Sequence, residues 1–289
     1  MIKEIQAKTL LGRVKQPDEW FGLRYVMNLY RGCQHQCIYC DSRSECYQIE
    51  DFEHDVLVKA NAVELLRGEL AHKRIKGTIG TGSMNDPYMP LEAGRGLTRR
   101  ALEVVAEFHF PVHVITKSDL VLRDLDLLGQ IGHVYAAVTF TVTAADDGLA
   151  KMLEPGAPVS SRRLAAMKTV SEAGILTGVA LMPVLPFIED SQENITRIVE
   201  LAHAHGAKYV LPAFGMTLRD RQRAYYYAKL DGLFPGVRAH YEKTFGERYS
   251  ARARNAGQLE KLCRALCRLY GIALQMPVYA PQAAQPRLF

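Results

Sequence analysis

NLYRGCQHQCIYC, residues 28–40, places Cys33, Cys37 and Cys40 at gaps of three and two residues, immediately after a β-rich run. Iron in a cubane cluster takes tetrahedral thiolate and sulfide ligation, and one short cysteine-rich loop can wrap three corners of such a cluster. Cys46 is the nearest candidate for a fourth ligand. If it stays out, one iron is left open to an outside ligand. A structural zinc site or buried thiols is the plainer reading, but zinc usually takes paired CxxC hooks or Cys/His sets, and no second hook occurs here. His35 lies inside the loop and reads as an exposed residue rather than a ligand.

Outward from this loop, short β-rich runs alternate with longer helical patterns. The spacing predicts strands near Arg24–Asn28, Thr78–Gly82, Val112–Thr116, Val134–Thr141, Thr177–Met182 and Lys208–Pro212. It predicts helices near Ala60–His72, Gly96–Phe108, Val121–Ile131, Ser160–Ala173, Gln192–Gly206 and Leu218–Leu233. Strict alternation implies parallel strands joined by right-handed crossovers. The expected fold class is α/β: a partial (βα)6 TIM-like barrel over residues 23–234, with an N-terminal extension (1–22) and a helical, basic C-terminal region (235–289). A doubly wound open sheet is the alternative. Both put reactive residues at the carboxyl ends of the strands.

The 289 residues suit one barrel with appendages. Charges break every apolar run of the N-terminus, which reads as neither a signal peptide nor a membrane span, so a cytoplasmic protein without a membrane partner is expected. Thiols stay reduced there, so the six cysteines read as metal ligands or core residues rather than a disulfide framework. Cys263 and Cys267, four apart, share one helix face and read as core thiols. Between Arg219 and Arg268 twelve basic residues face five acidic ones, an excess above the whole chain's net charge of +5. Tyr225, Tyr226, Tyr227, Tyr241 and Tyr249 are interleaved with them. Such a mixture suits phosphate contacts and base stacking, so DNA or RNA is the expected partner of this third. Solvated helix faces over buried tyrosines are the bland counterpart.

CxxxCxxC with Tyr39 before the last cysteine, after the first strand of a six-fold alternation, resembles the radical S-adenosylmethionine superfamily. Within it, residues 28–40, DPYMPLE (86–92), VITKS (114–118) and LEPGAPVSSRRL (153–164) resemble the spore photoproduct lyase-like branch. This resemblance implies a [4Fe–4S] cluster held by Cys33, Cys37 and Cys40, with S-adenosylmethionine chelated at the open iron. One electron from an external donor such as flavodoxin or ferredoxin then cleaves the cofactor into methionine and a 5′-deoxyadenosyl radical. It further implies Ser83 and Asn85 beside the methionine moiety, Lys117 on its carboxylate, Thr139 and Thr141 near ribose or amino acid, and Tyr39 near adenine. Each has a plainer reading: a strand-to-loop turn for Gly80–Pro87, a solvated lysine, β-propensity for the threonines, packing for Tyr39. Asp86 reads as a turn cap. Glu154, Arg162 and Arg163 read as a buried ion pair or a cofactor contact, and Met182–Pro186 as a pocket wall.

The sequence departs from the branch at two places. Phe187 stands where glycine is frequent and predicts a narrower lip; Ser83 stands where the lyases carry a hydrogen-donor cysteine. A serine O–H bond is too strong to replace a thiol, so a true photoproduct lyase is not expected. Tyr88 is the substitute donor that the sequence offers nearby. The functions left are radical chemistry on nucleic acid, as a lyase or in DNA repair or modification; the same chemistry on a peptide or metabolite; or a cluster-bearing electron-transfer or binding protein. The ligand assignment predicts that Cys33→Ala, Cys37→Ala or Cys40→Ala abolishes iron and sulfide loading. Cys46→Ala, Cys263→Ala and Cys267→Ala leave it intact. Iron retained by the Cys37→Ala protein contradicts it.

Overall fold

The computed structural model describes residues 1–16, 20–49 and 51–281. Strands β1 (Ile2–Ile5), β2 (Leu11–Arg13), β3 (Tyr25–Met27), β4 (Tyr30–Arg31) and β5 (Val56–Lys59) surround the cysteine loop. Then follow α1 (Ala62–Ala71), β6 (Ile79–Thr81), α2 (Glu92–Arg95), α3 (Leu97–Glu107), β7 (Val112–Thr116), α4 (Leu125–Gly132) and β8 (Ala136–Thr141). Next come α5 (Asp147–Leu153), α6 (Ser160–Glu172), β9 (Leu176–Leu181), α7 (Gln192–Ala204) and β10 (Tyr209–Pro212). The chain closes with β11 (Gly215–Thr217), α8 (Asp220–Leu233), α9 (Val237–Phe245), β12 (Ser250–Arg252) and α10 (Ala256–Leu269).

The six expected strands all fall in one seven-stranded sheet of order β10-β9-β8-β7-β6-β3-β2, parallel except for β2 against β3. Both faces of the sheet are covered, which is why β8 is buried at all six positions. Val112, Val114, Val138, Phe140, Val179 and Leu181 point into the core under the helices. Ala137, Thr139, His113, Tyr209 and Leu211 share the other face. There Phe21 stacks on His113 at 4.6 Å, and Met276 packs with Ala137, Tyr209 and Leu211. Segments from both ends of the chain thus fill the inner face of the partial barrel.

The structure departs from the sequence reading in its small sheets and in the last of the six expected crossover helices. Strands β1, β5 and β4 form a separate sheet, and β11 pairs antiparallel with β12. Both use strands of two to four residues, too short for a readable alternation. The expected sixth crossover helix, α8, packs instead against α9 and the 3-10 turn Asp41–Arg43 just past the cysteines. It brings Tyr226, Tyr227 and Leu230 together with Ile38, Tyr39, Leu153 and Leu185 in a second apolar cluster. Phe187 adopts a left-handed φ of 64° and turns its ring into this cluster, stacked on His240 at 5.5 Å and edge-on to Tyr241 at 5.4 Å. That packing offsets backbone strain worth about 1–3 kcal/mol. The ring anchors the helical cap, where a narrowed lip was expected. No helix among the described residues is long and apolar enough to cross a membrane.

Gly82, at the end of β6, fixes the turn that leads to the site. Its φ is +98°, and a methyl group there would lie 2.0 Å from the Ile115 carbonyl oxygen. Gly82→Ala is therefore expected to destabilise the protein by about 2–3 kcal/mol, read as a lower denaturation midpoint. An unchanged midpoint contradicts this account of the turn.

Candidate functional site

The cysteine loop is fastened from every side before any cofactor is considered. Gly32, at φ +85°, passes so close to β5 that an added Cβ would lie 2.3 Å from the Asp55 carbonyl oxygen. Gln36 donates from its amide to the carbonyls of Cys33 (3.1 Å), Phe52 (3.2 Å) and Glu53 (3.0 Å). Its own side-chain oxygen accepts from Arg43 at 2.8 Å. Across the loop, the Ile38 amide donates to Leu153 and the Gly156 amide to His35, both at 2.9 Å. Gln222 of α8 donates to the Tyr39 carbonyl at 3.0 Å.

Held this way, the thiols of Cys33 and Cys37 are buried and that of Cys40 is half-buried. Burial pushes the Cys33 thiol up to about 12 and raises those of Cys37 and Cys40. Cys40 raises both of the other thiols, so the three lie within electrostatic reach of one another. Amide hydrogen bonds from Asp86 and His35 reach Cys33, and Ser42 bonds Cys40. Three thiols of one loop, within electrostatic reach of one another and met by N–H donors, suit the corners of an iron–sulfur cluster. Cys46 is exposed and bonds Ser44 at 3.4 Å and Arg219 at 3.6 Å.

Asp86 ties this loop to the barrel. Its carboxylate accepts from Thr116 Oγ1 (2.7 Å), Lys117 N (2.6 Å) and Tyr88 N (2.9 Å), and His35 Nδ1 lies at 3.3 Å. It caps the turn, as read from sequence, but it also joins the ends of two strands to the cluster loop. His35 is only 1% exposed, so its expected exposure is corrected: it is the buried partner of Asp86. Asn85 donates from its side chain to the Tyr30 carbonyl, and Ser83 is exposed on the same turn.

At the end of β7, Lys117 Nζ lies 3.7 Å from Glu154 and 5.9 Å from the centre of the Tyr39 ring. Glu154 also takes the Tyr39 hydroxyl and an ion pair from Arg163. Burial alone would raise this carboxyl, but Arg163 and Lys117 outweigh it and hold it below the ordinary range. Of the two readings of the 154–163 segment, the buried ion pair is what the structure contains; Arg162 is exposed and pairs with Asp119. Glu189, fully buried nearby, is pushed up to about 8 by burial, and one of its oxygens has no hydrogen-bond partner. No sequence pattern flags this residue, because only tertiary packing removes it from water.

Other expected site residues have other work. Thr139 Oγ1 bonds His113 at 2.7 Å and the Tyr209 hydroxyl at 2.6 Å inside the barrel, so it is committed to the inner packing. Burial pushes His113 down to about 3, and it stays neutral there. Thr141, two residues on, lies at the strand end, and its carbonyl accepts from Arg163 at 3.0 Å. Tyr88 is fully buried with its hydroxyl on Asp124 at 3.0 Å, in a network with Arg123 and Glu92. That network commits the Tyr88 hydroxyl to the packing of α2 and α3 against the segment before α4. The Glu154–Arg163 pair predicts a large cost when one partner is removed, since the other charge is left buried. Arg163→Met is expected to lose about 3–5 kcal/mol in guanidinium unfolding, and a loss below about 1 kcal/mol contradicts the pairing.

Comparison with known proteins supplies the family. The model of the radical SAM superfamily matches residues 27–202. An uncharacterized protein of Mycobacterium tuberculosis is 30% identical over 249 residues, covering 84% of this chain and 73% of that one. An uncharacterized protein of Methanocaldococcus jannaschii is 35% identical over 191 residues, covering 65% and 70%. The fold is similar to that of spore photoproduct lyase complexed with dinucleoside spore photoproduct, with a TM-score of 0.70 at 16% identity, over 94% of this chain and 81% of that one. The matched segment holds the cysteine loop, Asp86, Lys117 and Glu154, and the chain belongs to the radical SAM superfamily, whose members use a [4Fe–4S] cluster and S-adenosylmethionine.

Proposed function

We propose that this protein reductively cleaves S-adenosylmethionine and directs the resulting 5′-deoxyadenosyl radical at a nucleotide-sized nucleic-acid substrate. The observation that carries the reading is the placement of Lys117 between Asp86 and Glu154 at the mouth of the barrel, beside the buried thiols of Cys33 and Cys37 and the half-buried thiol of Cys40. The cluster supplies the electron when bound. The chain's own residues do the rest: Cys33, Cys37 and Cys40 hold it, and Lys117 offers a cation to the cofactor's carboxylate. Burial opposes the charge of Lys117, but Cys37 and Glu154 hold it firmly protonated, which suits that role. Tyr39 and Leu185 are buried with Cys37 in one apolar cluster, which excludes water from that side.

Support for the nucleic-acid class comes from the fold shared with an enzyme whose bound ligand is a dinucleoside. Ser83 in place of a thiol argues for a reaction other than thymine-dimer repair. The C-terminal third favours a small substrate over a long duplex. Tyr226 and Tyr241 are fully buried and Tyr227 nearly so, which leaves Tyr225 and Tyr249 as partly open rings. Arg223, Arg238, Arg252 and Arg254 pair with Glu247, Asp231, Glu260 and Asp190. Their charge is largely compensated within the fold.

The test is anaerobic: the reconstituted, dithionite-reduced protein is given S-adenosylmethionine with and without short oligonucleotides, and 5′-deoxyadenosine is measured by chromatography. Cysteine-dependent product, stimulated by oligonucleotide, is expected. No product from a fully loaded cluster under either condition overturns the reading.

A further inference from the structure

A cavity lies beside the barrel mouth rather than within the barrel. It has a volume of about 400 Å³, within the size range of small-ligand sites. Arg31, Lys59, Asn28, Gln6, Ser42 and Met84 are among its walls. Gly32 and Met84 also border it, so one end abuts the residue before Cys33 and the residue after Ser83.

Strand register explains why two cations meet there. In the antiparallel β4–β5 pair Arg31 stands opposite Leu57 and Tyr30 opposite Val58. Side chains alternate along a strand, so Lys59 lies on the same face as Leu57 and is the diagonal neighbour of Arg31. Tyr30 and Val58 take the opposite, buried face. Like charges so placed repel, and none of the described carboxylates forms an ion pair with either one. Arg31 spends one nitrogen on the Tyr47 carbonyl at 2.7 Å, leaving the rest of its fork to the cavity. Burial, then Arg31, lowers the proton affinity of Lys59, and Glu69 only partly counters them. The Asn28 side-chain oxygen is buried without a partner, so the same wall offers an acceptor for an N–H or O–H group.

We propose that this cavity is an anion site that takes a phosphate group of the substrate between Arg31 and Lys59. A second, uncharged part of the same ligand then extends past Asn28 and Met84 toward the cluster loop. This deepens the nucleic-acid reading and rests on it for the identity of the ligand, but the anion site itself stands on the cation pair and the cavity. It also moves the phosphate contact away from the basic C-terminal third, where Arg223, Arg238, Arg252 and Arg254 already have carboxylate partners.

The test compares the reconstituted wild-type protein with Lys59→Ala and Lys59→Arg, with Lys261→Ala on the exposed face of α10 as control. Thermal unfolding in inorganic phosphate is set against chloride of equal ionic strength, and calorimetric titrations use a 5′-phosphorylated thymidine dinucleotide, thymidine monophosphate and the unphosphorylated dinucleoside. Phosphate is expected to raise the melting temperature of the wild type, Lys59→Arg and Lys261→Ala proteins, but not that of Lys59→Ala. Dinucleotide affinity is expected to fall about tenfold in Lys59→Ala, with the salt slope reduced by about one. Tighter binding of the dinucleotide than of the monophosphate identifies a nucleic-acid segment as the source of the phosphate. Phosphate protection without oligonucleotide binding upholds the anion site and removes the nucleic-acid reading. Equal protection and equal salt slopes in wild type and Lys59→Ala, or no protection of the wild type, overturn the proposal.

Discussion

Three thiols drawn out of water into one loop govern this structure. A buried thiolate is costly unless positive charge or hydrogen-bond donors meet it, and three together compound the cost. The fold answers with a loop that cannot relax: Gln36 grips it from within, the Leu153 and Gly156 backbone holds one flank, and α8 holds the other. Arg43 is buried just past the last cysteine, its guanidinium 3.5 Å from the centre of the Tyr225 ring and 4.6 Å from that of Phe52. Its charge acts on Cys37 and Cys40, so the loop carries a fixed cation of its own. The remaining requirement for positive charge is what a metal cluster supplies.

From that constraint the arrangement of the barrel mouth follows. Asp86 spans the ends of β6 and β7 and the buried His35, so these two strand ends and the cysteine loop are tied together through one carboxylate. Lys117 continues from the same strand end into the buried pair of Glu154 and Arg163, with Tyr39 bonded to Glu154. Charges alternate in sign from one element to the next, and each is satisfied by its neighbour. Such a network fixes a cofactor's geometry at the expense of tolerance to substitution.

The parts of this design that were legible in the sequence are local ones. CxxxCxxC carries its own spacing, and β7 was predicted with its bounds because β-branched residues fill four of its five positions. Lys117 and Glu154 were legible as candidates because they end a strand and open a proline-broken loop. What the sequence withheld depends on contacts distant along the chain. His35 looked exposed until Asp86, fifty-one residues on, reached it. Tyr88 looked available as a donor until Asp124 engaged its hydroxyl. The tyrosines near residue 226 looked open until α8 folded over the cysteine loop instead of the sheet. The Arg31–Lys59 pair requires the register of a two-residue strand, which no periodicity reveals.

The central claim is that the three-cysteine loop leaves one iron open for S-adenosylmethionine. Electron–nuclear double resonance on the reduced, reconstituted protein tests it directly, using the cofactor labelled with nitrogen-15 at its amino group. The account predicts that adding the cofactor changes the electron paramagnetic resonance signal and that a coupling to the labelled nitrogen appears. An unchanged signal with no nitrogen coupling, at full cluster loading and saturating cofactor, contradicts it.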